Sequence, residues 1–313
     1  MDIQEKYKAK RMTPAEIAAR VKNGDRIFTT SDPGELVNAI ADRSEELNGV
    51  DVYVASVQNA SKLADPALNG HVNFKSIFMG YVERNAMKNG RQVYYCGGHL
   101  SDVGRNMKYG VKPTKYYAQA SPMDENGNFS LGYCSYGGTE SIEAGAEIYL
   151  QVNDQIPYIY GECNSVNIDQ VAGFAECSIP LKEIPDIPAT DVDQKIADFV
   201  LERIKDGSTI QIGIGAVANA VTRGLASRKN LGIHTELFVP AMIDLIKCGA
   251  VDNSKKTLER GKTIFGFATG TPTMCAFLDR NPDVEMRPIP WINGAETIAK
   301  NNDFVSINGC LAG

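Results

Sequence analysis

Two segments of this 313-residue chain combine residue types that could do chemistry. Thr209-Ile-Gln-Ile leads into Gly213-Ile214-Gly215-Ala216-Val217-Ala-Asn-Ala-Val, a strand-like run, a Gly-x-Gly turn and then a helix-like run. A little further on, Leu231-Gly-Ile-His234-Thr-Glu236-Leu-Phe-Val239 reads as a second strand carrying one acidic residue. Glycines at such a turn let a backbone approach a ligand closely, and a helix N-terminus presents unpaired N–H groups to negative charge. A lone strand glutamate beside that turn can act as a covalent nucleophile: a carboxylate attacks an activated acyl group to give an anhydride when water is kept out. The N–H groups of the turn would then hold the oxyanion. A strand glutamate is also commonly a solvated carboxylate or an arginine partner, and the residues alone leave that open.

Other readings compete for the same residues. Gly213-x-Gly215-x-x-Ala218 fits the dinucleotide pattern G-x-G-x-x-G/A, and Glu236 lies 18 residues past Ala218, near where a ribose-binding acid belongs. A plain strand–turn–helix packing role fits as well. His234-Thr-Glu236 matches the H-x-E of zinc deaminases, but the downstream P-C-x-x-C is missing. No serine stands in a G-x-S-x-G elbow, and His71, His99 and His234 are too dispersed to suggest a metal site or a triad.

The chain resembles the acetyl-CoA hydrolase/transferase family, the family I CoA-transferases that include the 4-hydroxybutyrate and butyryl-CoA:acetate enzymes. Gln211-x-Gly213-Ile-Gly215-Ala-Val with Leu231-Gly-Ile-His-Thr-Glu236 resembles the family's core signature. Ala120-Ser-Pro-Met-Asp-Glu-Asn-Gly127-Asn-Phe-Ser-Leu-Gly132 is similar to its S-P-x-D-x-x-G-x-x-S-x-G turn. Phe78-Met-Gly80 through Gly90-Arg91, Lys255 to Lys262 and Asn302 to Asn308 follow in the family's order. The resemblance implies two tandem, similar, open α/β domains of the NagB/RpiA-like type. It implies Glu236 as the nucleophile, passing through an acyl-glutamyl anhydride and a glutamyl-CoA thioester to move CoA between a short acyl-CoA and a carboxylate such as acetate. Gly213, Ile214, Gly215, Ala216 and Val217 would line the CoA site, with coenzyme A a co-substrate and no permanent cofactor. Gly34 and Gln58 are candidates for substrate contact, Gly34 competing with a plain helix-start role. Tyr133, Tyr136 and Gly137–Gly138 fall where acyl selectivity could be set, and Trp291 is expected in a core or an interface. An acyl-CoA hydrolase, with water intercepting the anhydride, and a non-catalytic CoA-binding subunit are the alternatives.

Some positions depart from the family. Ala218 stands where relatives carry Pro, and Leu237-Phe-Val-Pro240 replaces Met-x-Ser-Asp-Gly after the glutamate. Gly161-Glu-Cys-Asn replaces Gly-Asp-Ser. Relatives continue beyond Phe304-Val-Ser-Ile-Asn-Gly309, so the second domain is expected to be incomplete at Gly313, with the remainder in a longer product or a companion polypeptide. A homo-oligomer is expected.

The elements that must position these residues alternate strand and helix, the pattern of parallel sheets covered by helices. Thr13-Pro14-Ala-Glu16 starts a helix. Strands are expected at 25–30, 50–57, 115–119, 147–152 and 209–213, and helices at 34–42 and 190–204. Cys177 to Ala189 holds Pro180, Pro185 and Pro188, so 181–189 reads as the linker between a first domain, 1–180, and a second, 190–313. Lys22-Asn-Gly-Asp and Lys205-Asp-Gly-Ser sit alike between a helix and a strand, a hint of internal duplication.

Composition bounds the partners. With 32 Lys and Arg against 38 Asp and Glu, the net charge is −6, and no basic block favours nucleic acid or an anionic membrane surface. No apolar run approaches the roughly 18 residues of a membrane span, and Met1 to Arg11 is not a secretion signal. Seven scattered cysteines without a C-x-x-C read as reduced thiols of a cytoplasmic protein.

Overall fold

The structure, a computed structural model, describes residues 2–55, 59–183 and 188–309. Its contacts divide the chain into two compact units: 1–158 with 164–180, and 159–163 with 181–313. The excursion at 159–163 adds an extended residue beside the edge of the second unit, Gly161 bridging Met286 in parallel. A Cβ at Gly161 would lie 2.2 Å from the Met286 carbonyl oxygen, so only glycine permits that approach. Ile184–Ile187 of the expected linker lie outside the described residues.

The first unit holds a parallel sheet of β1 (Arg26–Thr30), β2 (Val50–Val54), β3 (Val72–Ser76), β4 (Val93–Tyr95), β5 (Lys115–Ala120), β7 (Glu147–Val152) and β9 (Val171–Glu176), in the order β4-β3-β2-β1-β5-β7-β9. A small antiparallel pair, β6 (Asn128–Ser130) and β8 (Ser165–Asn167), carries the Asp124–Gly127 turn between β5 and β6. Every residue of β5 is buried, as expected for a central strand covered on both faces. Successive side chains serve opposite cores: Ile27, Tyr117 and Tyr149 on one, Phe28, Tyr116 and Ile148 on the other.

The second unit holds β10 (Thr209–Ile212), β11 (Gly232–Phe238), β12 (Thr263–Ala268), β13 (Val284–Met286) and β14 (Phe304–Ile307), all parallel, in the order β13-β12-β11-β10-β14. Both sheets therefore start at an inner strand, run outward on one side and return to the other. That places a reversal of strand order between β1 and β5 and another between β10 and β14. The approach to each inner strand is alike too. Helices Pro14–Ala18 and Asp191–Leu201 open with capping boxes, Thr13 with Glu16 and Thr190 with Asp193. Gly24 and Gly207, both at positive φ, then turn the chain into β1 and β10. The repeat hinted at in the sequence is thus visible as repeated topology.

Several element ends differ from the sequence reading. The helix expected to reach 204 stops at Leu201, because Arg203 and Ile204 close tight turns onto Val200 and Leu201 and Ile204 dives into the core. The helix expected at 34–42 spans Gly34–Ala41, with Pro33 at its N-cap and no side-chain cap. No helix among the described residues is long and apolar enough to cross a membrane.

Candidate active site

The Gly213–Val217 turn leaves β10 at the point where strand order reverses. The Gly213 N–H donates to the Ile307 carbonyl of β14, 2.9 Å away, so the turn lies across the β10/β14 boundary. Open α/β sheets bind ligands at such reversals, outside the carboxyl ends of the strands. The two glycines are needed for different reasons. A Cβ on Gly213 would stand 2.6 Å from Asn308 Oδ1. Gly215 has open space around it but a φ of +120°, which L side chains rarely adopt. Helix Ala216–Gly224 begins at once, without a side-chain cap, so its first-turn N–H groups have no partner within the helix. Ile214 projects into solvent between the glycines, and Gly213, Gly215, Ala216 and Val217 are half-buried.

Glu236 lies on the neighbouring strand. The β10–β11 ladder covers only Thr209↔Gly232 and Ile210↔Ile233, while β11 runs on beside β12 as far as Phe238. Carrying the β10–β11 register forward sets Gly213 level with Glu236, so the two strands part where the glycine turn and the glutamate stand. The Glu236 side chain is half-buried, and its Oε2 accepts from Asn293 Nδ2 at 2.5 Å. Asn293 ends the short helix Ile289–Ile292. Ile289 of that helix fills the space above Gly266 of β12, where a Cβ would lie 2.3 Å from Ile289 Cδ1.

His234 shares the Glu236 face of β11, two residues earlier. It is buried, with Nε2 at 2.9 Å from the Ile292 carbonyl and Nδ1 at 3.2 Å from Asn301 Nδ2. Its ring stacks on Trp291 at 5.4 Å and meets Phe304 edge-on at 5.8 Å. Burial lowers the His234 pKa, opposed by the bond to Ile292 and reinforced by the Lys256 charge. Lys256 is itself fully buried, donating to the carbonyls of Ile233 and Lys262, and burial pushes it down to about 7.

The structure brings Glu236 and Gly213 to Val217 together at one end of one sheet. Gly34 lies in the first unit, buried at the carboxyl end of β1 beside Asn59, whose backbone N–H donates to Asp32 Oδ2 at 2.6 Å. Gln58 lies outside the described residues. Ser31 and Asp32 take positive φ, 55° and 51°, held by Ser31 Oγ on the Cys134 carbonyl and by Gln119 Nε2 on the carbonyls of Ser31 and Asp32. Gly138 packs on the Tyr116 hydroxyl, and Trp291 on His234. Sequence reasoning missed Asn293 and Asn301. Both follow a helical turn 57 and 65 residues beyond the glutamate, and only the sheet order brings them back to it. Among the described residues no group of three or more His, Cys, Asp or Glu is placed to hold a metal ion.

Chemically, the arrangement offers a carboxylate fixed by an amide donor, beside backbone N–H groups at a strand-order reversal. Known proteins resemble the chain in sequence and in fold. The sequence is 33% identical over 311 residues to succinyl-CoA:cyclohexane-1-carboxylate CoA transferase of Geobacter metallireducens, spanning 98% of this chain and 70% of that protein. It is 29% identical to 4-hydroxybutyrate coenzyme A transferase of Clostridium kluyveri, over 99% of this chain and 73% of the relative. The fold matches the crystal structure of RipA from Yersinia pestis with a TM-score of 0.93 at 30% identity, over 98% of this chain and 74% of that one. Residues 1–200 match the acetyl-CoA hydrolase/transferase N-terminal domain and residues 270–312 its C-terminal domain. On its sequence and on its fold alike, the chain belongs to the acetyl-CoA hydrolase/transferase family.

Proposed function

We propose that this protein transfers coenzyme A between a short-chain acyl-CoA and a carboxylate, with Glu236 as the nucleophile. The observation that carries the reading is the half-buried Glu236 carboxylate, held by Asn293 level with the Gly213 turn. Glu236 attacks the thioester carbonyl, CoA leaves as the thiolate, and a mixed anhydride forms. The thiolate attacks the glutamyl carbonyl, the acyl carboxylate departs, and Glu236 carries CoA as a thioester. A second carboxylate attacks that thioester, giving a new anhydride and free thiolate. Attack of the thiolate on the new acyl carbonyl yields the new acyl-CoA and restores Glu236. No proton is gained or lost over the cycle, so the mechanism needs neither a general base nor a reactive cysteine.

Gly213 to Val217 would hold CoA, the first-turn N–H groups of helix Ala216–Gly224 facing developing negative charge and Ile214 offering apolar surface to the pantetheine arm. Gly34 and Gln58 would contact the substrate. Family membership weighs against the nicotinamide reading of the same glycines. The named relatives act on succinyl-CoA, cyclohexane-1-carboxylate and 4-hydroxybutyrate, which supports an acyl-CoA and a free carboxylate as the substrate pair. The six described cysteines are all free thiols, in keeping with a cytoplasmic protein. The proposal includes two tandem domains, 1–180 and 190–313, and a homo-oligomer.

The test is to mix the protein with acyl-CoA, reduce with borohydride and map the modified peptide. A reduced glutamate at position 236 is expected. Turnover with Glu236 unmodified would overturn the assignment, and release of free CoA without an acceptor acid would mark a hydrolase.

A further inference from the structure

We infer that His234 is a positioning residue for Glu236, acting through the Ile292–Asn293 peptide in its neutral, Nε2-protonated form. The inference rests on the nucleophilic role proposed for Glu236. Its ground is a pair of rungs between β11 and the end of helix Ile289–Ile292. His234 bonds the Ile292 carbonyl at 2.9 Å, and Asn293 Nδ2 bonds Glu236 Oε2 at 2.5 Å. The Ile292 carbonyl and the Asn293 nitrogen belong to one planar peptide unit. Fixing that carbonyl fixes the direction in which the Asn293 Cα leaves, and so where its amide is delivered.

The surroundings set the protonation of the ring. Asn301 Nδ2 faces three acceptors, His234 Nδ1 at 3.2 Å, the Thr297 carbonyl at 3.4 Å and the Ile298 carbonyl at 3.3 Å. Flipping the Asn301 amide would turn its oxygen toward two carbonyl oxygens, so the NH2 group stays where it is. His234 Nδ1 therefore accepts, and the single ring proton sits on Nε2, pointing at Ile292. Both nitrogens are used, so the imidazole is not a base for the reaction. A buried histidine could be satisfied anywhere in a core. This one is engaged at the carbonyl preceding the amide that grips the nucleophile, and Trp291 and Phe304 hold its ring there.

Two amide substitutions separate this role from packing. His234→Gln keeps a donor at the reach of Nε2 but loses the ring. His234→Asn also loses the ring, keeps an acceptor for Asn301, and leaves Ile292 without its donor. A positioning role predicts that His234→Gln stays within about fivefold of wild type in kcat. His234→Asn should fall on the order of 30- to 100-fold, with KM for acyl-CoA changed less than about threefold, because a misplacement near 1 Å costs about that much. In the background of Asn293→Ala, His234→Asn should cost almost nothing further, because both act on one contact. The rate of glutamyl-CoA formation in a single turnover is the readout. If His234→Asn does not fold, His234→Phe, which keeps the stack on Trp291 and drops the donor, replaces it in the same comparison. Equal losses for the Gln and donor-lacking variants, or full additivity with Asn293→Ala, would overturn the inference. Wild-type protein that turns over without any glutamyl-CoA would instead remove the nucleophile assignment, and this inference with it.

Discussion

Shortening the nucleophile by one methylene tests the site most directly. Glu236→Asp keeps a carboxylate on β11 but withdraws it by about 1.5 Å, one carbon–carbon bond. The contact with Asn293 Nδ2, 2.5 Å in the structure, would open to about 4 Å, beyond hydrogen-bonding reach. A charge-assisted hydrogen bond contributes about 1.5–3 kcal/mol when well buried, and the half-exposure of Glu236 discounts this to ~1–2 kcal/mol. That contact bears on the barrier because the same glutamyl oxygen regains negative charge when CoA attacks the glutamyl carbonyl. Misplacing the attacking oxygen adds roughly 10²-fold. Together the two effects predict a fall in kcat on the order of 10³-fold, with Glu236→Ala at background. The assay is steady-state exchange between acyl-CoA and acetate, run beside circular dichroism to show that the fold is kept. A folded Glu236→Asp variant within tenfold of wild type, or a Glu236→Ala variant that still transfers, would refute the placement of the nucleophile.

Other perturbations follow from the same geometry. Gly215→Ala forces a side chain to φ +120°, at a cost of about 1–3 kcal/mol, so a lower denaturant midpoint and a higher KM for acyl-CoA are expected together. Gly34→Ala would set a Cβ 2.6 Å from the Asn59 Cβ and should destabilise the first unit by about 1–3 kcal/mol; unfolding curves report it. Lys256 titrates lower in the fold than in the open chain, so the open chain binds the extra proton between about 7 and the ordinary lysine value. Stability should therefore rise with pH through that window, by at most about 1.4 kcal/mol per pH unit, and Lys256→Met should flatten the rise in pH-dependent urea melts. The lowered pKa of His234 has the same sign: the stability it contributes is complete above the ordinary imidazole value and is lost as pH falls below it. His234→Gln should remove that acid-side loss.

The sequence disclosed what local chemistry dictates. The capping boxes at Thr13 and Thr190, the glycine turns at Gly24 and Gly207, and the strands around Tyr117, Tyr149 and Ile210 are written in short windows. So was the pairing of Gly213 and Gly215 with Glu236, because one crossover joins β10 to β11. What stayed hidden depends on strand order. Asn293 reaches Glu236 because β12 and β13 intervene in the chain but not between β11 and helix Ile289–Ile292 in space, and no spacing rule encodes that return. His234 was visible as a residue but not as a support, since its partners Ile292 and Asn301 arrive from the same distant stretch. The end of helix Asp191–Leu201 was misjudged because the apolar Ile204 continues the helical pattern while the backbone has already turned.

The two strand reversals are built from opposite materials, and the contrast bears on function. After β10 the chain uses Gly213 and Gly215, with an exposed Ile214 and a helix start without a side-chain cap, so the first-turn N–H groups have no partner within the helix. After β1 the equivalent turn uses Ser31 and Asp32, both buried and both at positive φ, a conformation that costs non-glycine residues about 1–3 kcal/mol each. That cost persists only because the surroundings impose it: Gln119 grips both carbonyls, Asn153 Nδ2 donates to Gln119 Oε1 at 3.0 Å, and the Asp32 carboxylate holds the Asn59 backbone. A turn held this way from the side, with a buried carboxylate of its own, is a fixed surface and not an open set of donors. The β10 turn therefore suits the CoA-binding role proposed for it, while the β1 turn gives its own unit a rigid surface. Replacing Gln119 by Leu should free the Ser31–Asp32 turn and lower the denaturant midpoint and, on the substrate contact proposed for Gly34, blur discrimination among acyl groups, read as kcat/KM over a series of acyl-CoAs. A Gln119→Leu variant that keeps both its stability and its acyl preference would refute this role for the β1 turn.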